Sequence, residues 1–142
     1  MANLIYRNTL VYVNVSILAS QSQSNIVSCI NLPANTESPE GIIQAAGSAS
    51  LRRINIPSSW DPGNITFQVS ETDNSPDFND LYITDGTNVG ILSLNGSVQN
   101  SKIVVQPWWF DSVNYFRMIF SNPPSSDSTI QLVMASIYQG DA

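Results

Sequence analysis

Histidine is absent from this chain, which removes the commonest general base and the commonest metal ligand. Cys29 is the single cysteine, so neither an intramolecular disulfide nor a thiolate metal cluster can form. It lies in the β-like run 25–31, where a small buried residue is expected, and the chain offers no histidine to activate it as a nucleophile. No Gly-x-Ser-x-Gly elbow or glycine-rich phosphate loop occurs. We therefore expect a protein that is not an enzyme, with no catalytic residue, cofactor or metal.

Charge is also scarce, at 11% of residues against about a quarter in typical proteins. The net charge of −6 and the five basic residues argue against nucleic acid as a partner, because such affinity comes from Lys and Arg on phosphates. The surface must instead be built from Ser, Asn, Gln and Thr. Neutral polar groups are desolvated at lower cost than charges, which favours a protein packed against neighbours. A free β-domain of low charge has the same composition.

Long hydrophobic runs are missing as well. Nothing reaches the length of a membrane span, and the N-terminal segment has no continuous apolar region followed by a small-residue cleavage site. We expect a chain made in the cytoplasm, without a membrane partner.

Apolar residues recur with a period of two along the chain, and no window sustains the helical period of 3.6. With turn residues between the runs, the pattern predicts an all-β protein of about nine strands, an antiparallel β-sandwich that is jelly-roll-like. A last strand that is apolar on both faces is expected to be central or to meet a partner. Strands are predicted at residues 10–18, 26–30, 51–56, 64–71, 81–84, 89–94, 102–106, 115–120 and 128–138.

The first fifty residues differ from the rest in composition. An apolar strand, with Val11, Val13, Val15 and Ile17 on one face, precedes a Pro-, Gly-, Ala- and Ser-rich stretch between residues 32 and 50. We expect residues 1–50 to form an N-terminal strand and extended arm that contacts other subunits, and residues 51–142 to form the sandwich core. Exposed apolar strands invite aggregation unless covered. The contact candidates on this strand are Tyr12, Val13 and Ile17.

Acidic residues gather between residues 71 and 85. They could offer oxygens to Ca²⁺, but the order of an EF-hand loop is missing and Pro76 interrupts the run, so a solvated turn is favoured. As a glycosidase pair they are less suitable, since carboxylates at a hairpin tip are seldom buried enough for a raised pKa. The residues are Glu71, Asp73, Asp77, Asp80 and Asp85.

Three consecutive aromatic residues occupy positions 108–110, between Pro107 and Asp111. Strand side chains alternate, so the three cannot all point inward: either the segment turns or one ring is exposed. Plugging the end of the sandwich is favoured. An exposed Trp108 or Trp109 could instead stack on a sugar or anchor a protein interface.

Residues 54–83 carry the most specific pattern. A strand runs into Ile56-Pro57-Ser58-Ser59-Trp60-Asp61, a second strand reads Ile-Thr-Phe-Gln-Val-Ser, and Phe78-Asn79-Asp80-Leu81-Tyr82 follows an acidic loop. Physically, this is a corner between two sandwich strands with a buried Trp60 as its plug.

The chain here resembles small β-proteins found among the structural genes of tailed bacteriophages, and the resemblance covers roughly residues 51–120 and the last strand. Their pattern is a Leu-Pro-x-x-Trp/Phe-Asp corner, then Ile-Thr-Phe-Gln-Val-Ser, an acidic turn and Phe-x-Asp-Leu-Tyr. The resemblance implies a virion structural protein, with the major capsid protein and copies of itself as partners. Within that class we expect a capsid decoration (cement) protein. A tail, baseplate or head–tail joining component and a carbohydrate-binding sandwich module remain alternatives, although no residue motif supports a glycan.

Overall fold

The protein is an antiparallel β-sandwich without α-helices in the described residues, which confirms the predicted all-β class. The computed structural model describes residues 4–32, 36–37, 43–46, 49–84 and 86–141. Two three-residue 3-10 helices, Ser75–Asp77 and Pro107–Trp109, are the helical elements in these ranges, and neither could cross a membrane. The strands are β1 Leu4–Ile17, β2 Val27–Leu32, β3 Thr36–Glu37, β4 Ile43–Ala46, β5 Ala49–Ile56, β6 Gly63–Ser70, β7 Asn79–Asp80, β8 Tyr82–Thr84, β9 Val89–Ile91, β10 Ser93–Ser97, β11 Ser101–Val104, β12 Tyr115–Phe120 and β13 Ser128–Asp141.

Two main sheets face each other across one hydrophobic core. The four-stranded sheet has the order β1-β13-β5-β11, and the second sheet has the order β10-β6-β12-β2-β4-β3, with β7 paired to β6. The pairings are antiparallel except for β2 with β4. A separate hairpin is formed by β8 and β9. In this order the chain crosses repeatedly between the two sheets, and the jelly-roll-like topology expected from the sequence stays a prediction.

Strand β1 belongs to the sandwich, so the expectation that residues 1–50 form an arm is wrong for this strand. It pairs with β13 through fourteen residues, from Leu4 opposite Asp141 to Ile17 opposite Ser128. Its inward side chains are buried in the same core as those of the other sheet, because alternate residues of a strand share a face. They are Val11, Val13, Val15 and Ile17.

Strand β2 is likewise part of the core, since Val27 and Cys29 are buried beside β12. Between residues 32 and 50, where a long loop was expected, the described residues form β3 and β4. The remaining residues of that predicted loop lie outside the described residues.

The corner between β5 and β6 places Trp60 as predicted. Its side chain is only 1% exposed, and its ring meets Phe120 edge-on at 5.0 Å between centroids. The corner is fastened to the first residue of β13, because the Ser59 and Ser128 hydroxyls lie 3.1 Å apart. The Trp60 Nε1–H has no hydrogen-bond partner among the described residues. The indole therefore acts by filling space.

Strand β13 lies between β1 and β5, so the prediction that a strand apolar on both faces is central is confirmed. The predicted strand 89–94 was wrong in its bounds, because it divides into β9 and β10 around the buried Leu92. Asn95 and Gly96 lie in β10, where the ladder with β6 has a bulge. Gly96 there has φ 66°, a conformation that glycine adopts without a steric penalty.

Candidate functional site

The aromatic run after β11 both turns and exposes a ring. Pro107 begins the short 3-10 helix, and the amide N–H of Trp109 donates to the Gln106 carbonyl at 3.1 Å. Phe110 is fully buried against Phe67, with their centroids 5.1 Å apart, so it plugs the sandwich end as favoured from the sequence. Trp108 is 64% exposed, whereas Trp109 is half-buried.

A groove with a volume of about 540 Å³ opens beside Trp109. Its floor is apolar and rests on the core: Val69 from β6, Leu81, and Val113 from the loop before β12. We call it the Trp109 groove. Its polar rim consists of Ser70, Glu71, Thr72, Asp77, Asn79, Ser112 and Asn114.

Side-chain hydrogen bonds order the acidic loop that forms one wall of this groove. The Thr72 hydroxyl donates to Asp77 Oδ2 at 2.7 Å, and the Thr72 amide donates to the Ser70 hydroxyl at 3.0 Å. The Asp77 amide closes a turn on the Asn74 carbonyl at 2.9 Å. Such local bonds are how Ser, Thr and Asp fix turns, so the wall is shaped before any ligand arrives.

Arg117 fixes the same loop from the outer face of the second sheet. Its Nε donates to Gln68 Oε1 and its Nη1 donates to the Ser75 hydroxyl, each at 2.8 Å. Its guanidinium carbon lies 4.7 Å from the centroid of the Phe78 ring. Arg117 therefore holds this loop through a glutamine, a serine and an aromatic ring.

The acidic residues of the loop are solvated, as the turn interpretation predicted. Glu71, Asp73, Asp77 and Asp80 are all exposed. Asp85, the fifth member of the predicted set, lies outside the described residues. Over the described ranges, no three His, Cys, Asp or Glu residues are close enough together to hold a metal ion.

The Cys29 thiol is deep in the core, as expected. Desolvation by burial raises the pKa of the Cys29 thiol from 9.0 to about 12, because the apolar surroundings disfavour the thiolate. The thiol is therefore protonated at neutral pH, and the thiolate is the form that attacks or ligates. Cys29 packs like a small apolar residue.

The outward surface of the four-stranded sheet is a second notable feature. A chain of side-chain hydrogen bonds crosses three strands: Arg53 Nε to Asn55 Oδ1 at 3.1 Å, Asn55 Nδ2 to Gln131 Oε1 at 3.0 Å, and Gln131 Nε2 to Asn14 Oδ1 at 3.3 Å. We call this surface the outer sheet face. Its described side chains are Leu10, Tyr12, Asn14, Ser16, Thr129, Gln131, Val133, Ala135, Ser50, Arg53, Asn55, Lys102 and Val104.

Exposed apolar groups lie beside the row of Asn and Gln amides, which we call the amide ladder. Tyr12 is 44% exposed and Val104 is 79% exposed, with the buried Val133 between them in the sheet. Tyr12 is therefore placed on a surface, as predicted for a contact residue. Val13 and Ile17 were wrong as contact candidates, because both are 0% exposed and point into the core.

Two features were missed by the sequence reasoning. The amide ladder depends on which strands become neighbours, although its Asn and Gln residues could be recognised at outward positions. The β8–β9 hairpin exposes apolar side chains on one face, because Tyr82 pairs with Ile91 and Thr84 with Val89. Its short alternating runs predicted strands, but they could not show that the hairpin stands apart from both sheets.

Comparison with known proteins adds no assignment to these surfaces. No family model matches the chain, and no curated protein or solved structure matches it either. The function therefore has to be argued from the geometry of the outer sheet face and the Trp109 groove.

Proposed function

We propose that this protein is a non-enzymatic virion structural protein, a capsid decoration protein that binds the shell through the outer sheet face. The resemblance over residues 51–120 and the last strand supports a virion as the particle. The observation that carries the proposal is the composition of the outer sheet face, where exposed Leu10, Tyr12 and Val104 lie on one side of a row of paired amides. Large exposed apolar groups clustered on one surface are typical of interaction sites.

The amide ladder makes this face suitable for burial. Asn14, Asn55 and Gln131 already satisfy part of their hydrogen bonding within the sheet. Neutral, paired groups are desolvated at much lower cost than free charges. A partner can therefore cover the face without leaving many polar groups unsatisfied.

Charge favours one orientation of the protein on the shell. The face carries Arg53 and Lys102, and its described positions include no Asp or Glu, although the whole chain has a net charge of −6. An acidic surface on the shell would be attracted to this face and repelled by the acidic loop around Asp77. Complementary charge of this kind sets orientation and association rate more than affinity.

The mechanism is bridging by non-covalent contacts. Each copy that covers a junction between shell subunits adds buried apolar area that must be exposed again before the subunits separate. Many weak contacts repeated over a lattice give strong attachment through avidity. No bond is made or broken in this role.

Two valines provide a matched test. Val104→Asp places a charge on the outer sheet face, whereas Val89→Asp places one on the β8–β9 hairpin, at a similar exposure of 72% against 79%. The assay is co-sedimentation with shells of the encoding phage that lack this protein. We expect Val104→Asp to reduce binding at least about tenfold and Val89→Asp to leave it within about twofold. Equal binding by both variants would remove the outer sheet face from the interface.

A further inference from the structure

We infer that the Trp109 groove is a binding site for a neutral carbohydrate. This goes beyond the proposed role in the shell, since the groove lies at the end of the sandwich and shares no residue with the outer sheet face. The shape of the groove, its mixture of hydrogen-bonding groups and its charge support this assignment.

The size and floor of the groove fit a small ligand with an apolar face. Its volume of about 540 Å³ falls within the range of about 300–1,000 Å³ that is usual for ligand sites. The half-buried Trp109 and the floor residues Val69, Leu81 and Val113 pack on the core, so their positions are fixed. An indole at the side of such a groove offers a flat apolar surface for the C–H face of a sugar ring.

The rim offers donors and acceptors together. The Asn114 and Asn79 amides each contain both kinds of group, and Ser112 adds a hydroxyl. Glu71 and Asp77 add carboxylate acceptors, of which Asp77 Oδ2 already accepts from Thr72. Across the described residues, the side chains of Glu71, Ser112 and Asn114 make no hydrogen bond with one another or with a neighbour. These groups are free to meet the hydroxyls of a sugar, each of which donates and accepts.

Charge distinguishes the ligand classes. Glu71 and Asp77 line the groove, and no Lys or Arg does, so a phosphate, a sulfate or an acidic sugar would be repelled. A quaternary ammonium group would be attracted by the carboxylates, but it has no acceptor for the amide and hydroxyl donors of Asn114 and Ser112. One indole alone also falls short of the aromatic cage that holds such cations. The combination fits a neutral sugar.

The order of the wall supports binding without a large rearrangement. The Thr72–Asp77 bond and the contacts of Arg117 with Ser75 and Phe78 hold the loop before a ligand arrives. A pre-organised site loses less entropy when it binds. Binding should therefore change the fluorescence of Trp109 without changing the secondary structure.

The two adjacent tryptophans give a matched pair for the test. The full chain is screened against neutral oligosaccharides of glucose, galactose, mannose and N-acetylglucosamine, with choline and a sulfated oligosaccharide as charged probes, and hits are measured by calorimetry. We expect saturable binding of at least one neutral oligosaccharide with a Kd below about 10 mM. Trp109→Ala should weaken it at least about tenfold, whereas Trp108→Ala, which removes a ring outside the groove, should stay within about twofold.

Asn114→Ala provides a second variant in case Trp109→Ala does not fold. It should weaken binding of the same oligosaccharide at least about threefold, with an unchanged circular dichroism spectrum. The inference is overturned if no neutral oligosaccharide binds at about 10 mM, if only choline or the sulfated probe binds, or if binding survives both Trp109→Ala and Asn114→Ala.

Discussion

Trp60 shows how much one side chain contributes at the corner between β5 and β6. The ring is 1% exposed and packs edge-on against Phe120, so Trp60→Ala leaves a large cavity. We expect a loss of about 3–5 kcal/mol in the free energy of unfolding. Trp60→Phe should lose clearly less free energy of unfolding, because the indole Nε1–H makes no hydrogen bond among the described residues that the substitution would remove. Urea denaturation gives both values.

The exposed Trp108 is the control for Trp60. Trp108→Ala should change the free energy of unfolding by no more than about 0.5 kcal/mol. If a folded Trp60→Ala variant lost under about 1 kcal/mol, the burial of this ring would not contribute to stability as described.

Cys29 gives the fold a pH dependence with a definite sign. Its thiol pKa is about 12 when folded and 9.0 when solvated, because burial disfavours the thiolate. Below pH 9.0 the thiol is protonated in both the folded and the unfolded state, so this group causes no loss of stability. Between pH 9.0 and about 12 the unfolded state releases the proton more readily, so stability falls as pH rises. The slope is at most about 1.4 kcal/mol per pH unit.

The difference between the wild type and Cys29→Ala isolates this effect from the other groups that titrate at high pH. Urea denaturation at about pH 8 and about pH 10.5 should show the wild type losing more stability than Cys29→Ala. An equal loss in the two proteins would mean that the thiol is already ionised or solvated in the folded state.

Among the elements, β1 shows what the sequence could and could not predict. The alternation of Val11, Val13, Val15 and Ile17 predicted a strand with one apolar face, and the structure confirms it. The sequence alone led us to assign the burial of that face to another subunit, whereas the face packs in the core of the same chain. The strand reaches this position by pairing with β13, more than a hundred residues later, and no local pattern shows that pairing. Long-range strand pairing is set by the whole core.

The turns and the candidate site follow the same rule. The Trp60 corner is local, and the sequence predicted it. The 3-10 turn at Pro107 is also local, and the sequence offered a turn there as one of two alternatives. The Trp109 groove joins residues from β6, the acidic loop and the segment before β12, so only its Trp and acidic members were recognised. Asn114 gave no local signal, because its role depends on which loops meet.

Two neighbouring residues of β1 test its place in the core. Val13 points inward and is 0% exposed, whereas Tyr12 points outward. Val13→Asp buries an unpaired carboxylate, and we expect the chain to unfold or to lose at least about 3 kcal/mol. Tyr12→Asp should remain folded, with a change within about 1 kcal/mol. Circular dichroism with urea denaturation distinguishes them.

Deleting residues 1–17 extends the same test. The deletion removes the four buried side chains of β1, worth roughly 6–12 kcal/mol at about 1.5–3 kcal/mol each. That sum is comparable with the whole stability of a domain, about 5–15 kcal/mol. A truncated chain that stays folded and cooperative would show that β1 is an arm after all.

At the scale of the whole molecule, two surfaces with different chemistry lie on one rigid sandwich. The described outer sheet face is partly apolar and carries Arg53 and Lys102, whereas the Trp109 groove carries Glu71 and Asp77. Because they share no residue, a shell and a sugar could occupy them at the same time. A subunit fixed through its sheet would then display the groove to the surroundings.

The attachment of the protein to a shell is the central claim, and its copy number in purified particles tests it most directly. Particles of the encoding phage are purified on a density gradient, and the protein is quantified by mass spectrometry against the major shell protein. The account predicts a fixed ratio, with a copy number of the same order as that of the shell protein, and loss of the protein from particles that carry Val104→Asp but not from those that carry Val89→Asp. Absence from the particles, or the few copies typical of a tail component, would contradict it.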